Sequence, residues 1–309
     1  MKERHHGAYY YSPGKGALAL IAFLCACAHE NQRGVRMLQP VWDGMLRGEP
    51  YVSNAFFAGT IGTASFVLVC TYFTCLDLTH SLSTKVQKDY FPSAKDQWAA
   101  AWPQLLIYAL GQTATWYSWS MYPASLSIDL PRQAPELWKF VVDFSVICLA
   151  GDFLIYWEHR LMHAVPYLRR NIHSIHHTYG TVFSWAGGVV HPLEDAVVIL
   201  CQIAPILAIR PHPIVYWLFS AFWVVCLVDE HSGHDVWWSP YQILPFTGCP
   251  IGGGGAPHDI HHYKPTQNFG FLFTIWDRCF DTFEEVKNPH EVKNPYVPPF
   301  ARELKSKCQ

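Results

Sequence analysis

Five long apolar stretches, Ala55 to Leu76, Trp98 to Met121, Leu137 to Trp157, about Gly187 to Ile209 and Pro213 to Val228, run through this 309-residue chain and leave it few ways to fold. A run of roughly 20 apolar residues spans a bilayer as a helix, and only a helix or a closed barrel satisfies its own backbone inside hydrocarbon. The predicted fold is therefore all-α, an integral membrane helical bundle. Charged residues make up 15% of the chain, against about 25% in a typical soluble domain. Thirteen Trp and sixteen Tyr suit helices that cross two membrane interfaces, where amphipathic rings collect. A shorter run, Ala17 to Ala28, is either an interfacial helix or part of a tilted span. The N-terminal residues Met1 to Gly7 lack the apolar core and cleavage site of a removable signal peptide. A net charge of −2 argues against a nucleic-acid partner. Most of the ten cysteines sit in apolar runs, which reads as buried free thiols rather than disulfides.

Histidine punctuates these apolar stretches. Twelve of seventeen histidines fall between His159 and His262, and eight of them form three tight sets: His159 with His163, His173 with His176 and His177, and His258 with His261 and His262. Residues three and four apart share a helix face, so each set is expected to offer its imidazoles to one point. Neutral imidazole binds zinc, copper, iron and nickel, and no thiolate or dense carboxylate cluster competes within the sets. A four-coordinate structural zinc site needs fewer ligands and commonly uses cysteine. Eight ligands suit two metals, and the surplus points to catalysis.

The position of the sets along the chain adds a side. His159 directly follows the apolar run Phe153 to Trp157, which puts the site at the bilayer edge. Arg160, Arg169 and Arg170 lie between the first two sets, and the positive-inside tendency assigns that segment, and the metal site with it, to the cytosol. The chain then returns through an apolar hairpin broken at Arg210-Pro-His-Pro213. It comes back with His231 and His234, whose i,i+3 spacing permits a shared metal and makes both candidate ligands. His191 is either an additional ligand or an interior histidine. Asp143 and Asp152, inside an apolar run, should face the protein interior. Asp152 lies two turns before His159 and either supports that imidazole or is a buried helix-packing group, while Glu158 and Asp259 are expected to orient imidazoles rather than bind metal. Gly252 to Gly255 would let the third set approach closely. Phe183 and Trp185 are either walls of a substrate channel or packing residues.

Gly151-Asp-Phe-Leu-Ile-Tyr-Trp-Glu-His-Arg-Leu-Met-His163, His173-Ser-Ile-His-His177, His231-Ser-Gly, His258-Asp-Ile-His-His262 and Phe273-Thr-Ile-Trp-Asp-Arg278 together resemble the fatty acid hydroxylase / sterol desaturase superfamily of integral-membrane di-iron enzymes. The details look closest to its C4-methylsterol oxidase and cholesterol 25-hydroxylase branches. Two departures stand out: relatives of the sterol-oxidase kind often carry histidine where Pro257 stands, and tyrosine where His234 stands. The resemblance implies a cytosolic histidine-rich di-metal cap on the bundle. His159, His163, His173, His176, His177, His258, His261 and His262 would be its ligands. It implies two iron ions, replaceable by zinc in a purified sample, with dioxygen as oxidant and electrons from NAD(P)H through a separate donor such as cytochrome b5 or a reductase. The substrate would be a sterol or acyl lipid taken from the bilayer, and the product an alcohol or alkene.

The chain then divides into an N-terminal region with transmembrane helices (1–136), a fatty acid hydroxylase-like di-iron domain (137–285) and an irregular cytosolic tail (286–309). Lys305 and Lys307 near the C-terminus resemble a dilysine retrieval signal, which predicts a multi-pass protein of the endoplasmic reticulum membrane. Two other classes stay open at this point. A membrane zinc hydrolase would use His-x-x-x-His, but the internal glutamate of His-Glu-x-x-His is absent. A non-catalytic metal-binding scaffold or transporter would call for ionisable residues along the spans, and only Asp143 and Asp152 offer that.

Overall fold

A computed structural model describes residues 13–88, 90–243 and 253–285; the C-terminal tail with Lys305 and Lys307, and Gly252 of the glycine run, lie outside the described residues. The helices are α1 (Pro13–Arg33), α2 (Gln39–Leu46), α3 (Phe57–Leu78), α4 (Ala94–Met121), α5 (Pro123–Leu126), α6 (Leu137–Ala164), α7 (Pro166–Asn171), α8 (Pro192–Ile209), α9 (Pro213–His231), α10 (Pro240–Ile243), α11 (Gly255–Tyr263) and α12 (Ile275–Cys279). Two 3-10 turns, His173–Thr178 and Ser184–Gly188, lie between α7 and α8, and no β-strand forms among the described residues.

Local chemistry sets the ends of these helices. Ser93 and Asp96 form a reciprocal capping box at the start of α4, which satisfies backbone donors that a helix start leaves bare. Both α8 and α9 open on His-Pro. Proline at the first helical position gives up a donor that has no partner there, and the preceding imidazole takes the next one, with Leu193 N–H donating to His191 Nδ1 at 3.1 Å and Ile214 N–H to His212 Nδ1 at 3.2 Å. The α6 helix stops at Val165, held extended before Pro166.

Four helices, α3, α6, α8 and α9, are long and apolar enough to cross a membrane. Sequence reading also offered Trp98 to Met121. The corresponding helix, α4, is 28 residues long but is not among the four, because Gln104, Gln112, Thr113, Thr115, Ser118 and Ser120 interrupt its apolar character. The run from Ala17 to Ala28 lies within α1, whose leucines are exposed.

The α3 helix packs along α9, and α6 along α8. One apolar core gathers Trp42, Ile147, Ile214, Trp217, Phe219 and Trp223. A second collects Phe66, Phe73, Phe183, Trp185 and Val228, so Phe183 and Trp185 are packing residues. The α8 helix leaves Leu193, Leu200 and Leu207 exposed at 53%, 64% and 67%, a face that lipid would cover. The α8–α9 hairpin carries the chain away from the His173–Thr178 turn and back, so His231, at the end of α9, arrives beside the histidines of the earlier sets.

Candidate metal centre

Nine histidines from four elements, α6, the His173–Thr178 turn, α9 and α11, converge in two adjoining clusters. One holds His159, His163, His173, His177 and His261; the other holds His176, His231, His258 and His262. All but the partly exposed His177 are at most 9% exposed. The sets do not each meet at one point as expected. In every set the i,i+4 pair stays together, namely His159 with His163, His173 with His177, and His258 with His262, while His176 and His261 cross to the opposite cluster. For α11 the reason is angular: positions 258 and 262 lie roughly 40° apart around the helix, whereas 261 lies about 100° from 262. The two centres thus interlock.

Within the first cluster the inward nitrogens nearly touch. His163 Nε2 is 2.8 Å from His173 Nε2, 3.1 Å from His261 Nε2 and 3.2 Å from His177 Nε2. In the second, His258 Nε2 lies 2.9 Å from His231 Nε2 and 3.1 Å from His262 Nε2, and His231 Nε2 lies 3.4 Å from His176 Nε2. Two nitrogens each about 2.1 Å from one ion stand roughly 3.0–3.4 Å apart, so these spacings suit shared coordination.

The outer nitrogens explain why lone pairs point inward. His159 Nδ1–H donates to Phe269 O at 3.1 Å, His173 Nδ1–H to Glu194 Oε1 at 2.6 Å, His261 Nδ1–H to Gln267 O at 2.7 Å and His231 Nδ1–H to Leu227 O at 2.8 Å. A proton fixed on Nδ1 leaves Nε2 as an acceptor. His159 Nε2 is buried with no protein partner. Burial, reinforced by neighbouring imidazoles, holds His173, His176, His258, His261 and His262 well below the usual histidine range. Burial lowers His177 to about 4, opposed by a hydrogen bond with the His262 backbone. Neutral imidazoles with converging lone pairs repel one another unless a cation lies between them, and the donor set therefore fits two transition-metal ions.

His234 departs from the expectation. Gly233 takes a left-handed φ of +68° and turns the next side chain away, where His234 Nε2–H donates to Asp77 Oδ1 at 2.9 Å and Nδ1 accepts from Thr84 Oγ1 at 2.9 Å. Both ring nitrogens are used, and the residue is in neither cluster. Asp77 also pairs with the fully buried Lys85 at 2.5 Å and accepts from Gln97 Nε2 at 2.9 Å. This buried ionic knot ties α3, α4 and the segment after α9 together. His191 serves as the cap of α8, outside both clusters.

The carboxylates act at one remove. Asp152 accepts from the backbone of Leu272 and Phe273 and from Trp276 Nε1, and Asp277 accepts from the backbone of Phe269 and Gly270. Together they pin the loop whose Phe269 carbonyl receives His159. Asp259 accepts from Gln87 Nε2 at 2.6 Å, and burial raises its carboxyl to about 6 against the pull of Gln87 and Lys85. Asp143 pairs with Lys139 at 2.8 Å. Glu194, the direct partner of His173, was not singled out by sequence; its only signal was an acid in the first turn after His-Pro.

Beside both clusters lies a cavity of about 300 Å³. His159, His173, His176, His231 and His258 line it together with the carboxylates Glu158, Glu194, Asp195 and Glu230, and Ile155, Val198, Trp223 and Phe271 are among its apolar residues. Its lining reaches Ile107 on α4 and Pro192 on α8, both exposed on the outer face of the bundle. Residues 144–282 match the family described as fatty acid hydroxylase.

By that match this region of the chain is similar to the fatty acid hydroxylase family. The chain is also 28% identical to mouse cholesterol 25-hydroxylase over 267 residues, covering 83% of this chain and 86% of the relative. Human cholesterol 25-hydroxylase is 28% identical over 267 residues, covering 83% and 94%. A cholesterol 25-hydroxylase-like protein of Caenorhabditis elegans is 28% identical over 284 residues, covering 85% and 89%. No solved structure matches. The fatty acid hydroxylase region contains all nine clustered histidines, and the membrane helices α8 and α9 lie wholly within it.

Proposed function

We propose that this chain is a di-iron sterol hydroxylase of the endoplasmic reticulum membrane, with its metal centre and C-terminus on the cytosolic side. The observation that carries this reading is the pair of buried imidazole clusters, five of whose rings line a largely apolar cavity. Relatives whose names specify cholesterol hydroxylation favour a sterol over an acyl chain. Two irons, when bound, supply the redox chemistry that acid–base side chains lack, the activation of dioxygen and the breaking of an inert C–H bond.

The protein's own share is positioning, exclusion of water and proton supply. Glu194 and the carbonyls of Leu227, Gln267 and Phe269 hold four imidazoles in the tautomer that faces inward. Ile155, Val198, Trp223 and Phe271 keep the substrate's reacting carbon in an apolar wall that excludes water. Insertion of one oxygen atom into a C–H bond takes up two electrons and two protons and releases water. Glu158 and Glu230 each have a buried carboxylate oxygen without a protein partner at the cavity wall, and these groups can hold and pass protons there. The electrons come from NAD(P)H through a separate donor such as cytochrome b5.

The test uses the full chain in lipid nanodiscs with iron, cytochrome b5, its reductase and a panel of sterols and fatty acyl lipids. Under ¹⁸O₂ the expected product is a sterol alcohol carrying one labelled oxygen. Label arriving from water instead would point to a hydrolase. An iron-loaded, reducible protein that oxidises no lipid in the panel overturns the reading.

A further inference from the structure

The directions of the apolar helices leave one passage through the membrane unassigned. Both α6 and α9 end at the histidine clusters, with His163 and His231 in their last turns. The α3 helix runs the same way as α9. Near its start Ala58 O accepts from Ser220 Oγ at 3.0 Å, and near its end Asp77 accepts from His234, which follows α9. So α3 finishes at the histidine end, yet α6 begins at the opposite end. With both of them in the bilayer the chain must recross it between Leu78 and Leu137, and α4 is the one long helix there among the described residues.

The contacts of α4 trace that passage. Near its start Gln97 Nε2 donates to Asp77 Oδ2 at 2.9 Å. Further along, Gln112 accepts from Thr60 Oγ1 at 2.8 Å and donates to Thr63 Oγ1 at 3.1 Å. Near its end the rings of Trp116 and Trp119 lie 6.4 and 6.0 Å from that of Tyr51, ahead of α3. The segment that follows stays at this end, where His212 Nε2–H, in the turn between α8 and α9, donates to Gln133 O at 3.1 Å. Antiparallel to α3 over its whole length, the 28-residue α4 extends about 42 Å.

The polar residues that keep α4 from reading as a span are satisfied within the protein. Gln97 and Gln112 bond to α3, and Gln104 Nε2 donates to Trp185 O at 2.9 Å. The hydroxyls of Thr113, Thr115 and Ser120 donate to carbonyls of their own helix. Groups paired in this way are tolerated in hydrocarbon. No charged residue occurs from Gln97 to Met121, and the outward face presents Leu106, Ile107 and Leu110 at 50%, 66% and 62% exposure. Exposed Trp98 and Tyr117 bracket that face 19 residues apart, or about 28 Å. Exposed Trp138 and Trp157 bracket α6 at the same interval. Both intervals match a hydrocarbon core of about 30 Å with aromatic rings at its two interfaces.

We propose that α4 is a further transmembrane helix beside α3, α6, α8 and α9, with its Leu106–Ile107–Leu110 face covered by lipid acyl chains. Ile107 also lines the cavity beside the histidine clusters, so hydrocarbon rather than water borders the cavity on its α4 side. The topology is independent of the chemistry performed at the clusters.

Two measurements on the full chain test it, and neither uses iron or turnover. The chain has no Asn-X-Ser/Thr acceptor of its own, so a Gly/Ser insert carrying one such triplet reports the side of each loop as a gel shift in microsomes. Inserts go, one at a time, between α3 and α4, between α4 and α6, and into the turn between α8 and α9. The last two are expected to share one state and the first to show the other. Inserts on both sides of α4 that share a state overturn the proposal. In the second measurement the unaltered chain is irradiated in nanodiscs containing a phospholipid with a diazirine on its acyl chain, and the labelled residues are located by mass spectrometry. Label is expected on Leu106, Ile107 and Leu110 as on Leu200 and Leu207 of α8. Label on α8 but not on α4 overturns the proposal, because water or a second copy of the chain would then cover that face. Label on neither helix overturns it as well, whether or not the insert variants fold.

Discussion

The two imidazole clusters differ in how firmly they are held. In the five-histidine cluster, His159, His173 and His261 each have the outer nitrogen tied to a carbonyl or carboxylate. In the four-histidine cluster His231 is the one ring with such a tie among the described residues, to Leu227 O; the outer nitrogens of His176 and His262 are buried without partners, as is that of His163 in the first cluster. The looser cluster also gives three of its four rings to the cavity wall. Outer partners raise ligand basicity and fix ring orientation, so the first centre is pre-oriented and the second is more pliable where substrate would lie. A family of near-identical ligands thus yields two unequal sites through carbonyls and one glutamate.

Removing a ring from either cluster breaks the comparison most severely. His261→Ala and His231→Ala are each expected to lower lipid oxidation to background, measured as product per chain. Appreciable turnover by either would show that its cluster is dispensable. The next largest effect lies outside both clusters. Asp77→Leu removes the carboxylate paired with the buried Lys85 ammonium and should cost about 3–5 kcal/mol of stability, read as a lowered Tm, with the double variant Asp77→Leu/Lys85→Met recovering much of it. No recovery would mean that Gln97 and His234 matter more than the ion pair.

Glu194→Ala sharpens the inequality itself. It should weaken metal binding by about 10–100-fold in competition with a chelator, and bring the release rate of the first centre toward that of the second. In the wild-type chain the four-histidine centre is expected to release its ion first; simultaneous release would erase the distinction. The smallest effect belongs to His191→Ala, which removes the cap of α8 and should cost about 1 kcal/mol with metal content unchanged. Loss of metal in that variant would restore His191 as a ligand.

These expectations show which chemistry a sequence displays. Histidine spacing and the apolar runs were legible because ligand type and hydrocarbon length are strict requirements. The sharing of His176 and His261 between centres was not, since it depends on how α6, α11 and the His173–Thr178 turn meet. The partners of the outer nitrogens were equally hidden: three of four are backbone carbonyls, which every residue possesses. His234 read as a ligand from its spacing to His231, yet a single left-handed glycine and an aspartate 157 positions earlier place it elsewhere. Asp152 was rightly kept out of hydrocarbon, but what it fixes is a loop 120 residues on, not the imidazole two turns away.

Iron content with Mössbauer spectroscopy on the full-length chain, loaded anaerobically with ⁵⁷Fe in its membrane environment, addresses the paired centres most directly. The account predicts two irons per chain that are magnetically coupled in the oxidised state, falling to one in His231→Ala. A wild-type chain that binds a single iron, or two that show no coupling, would contradict it.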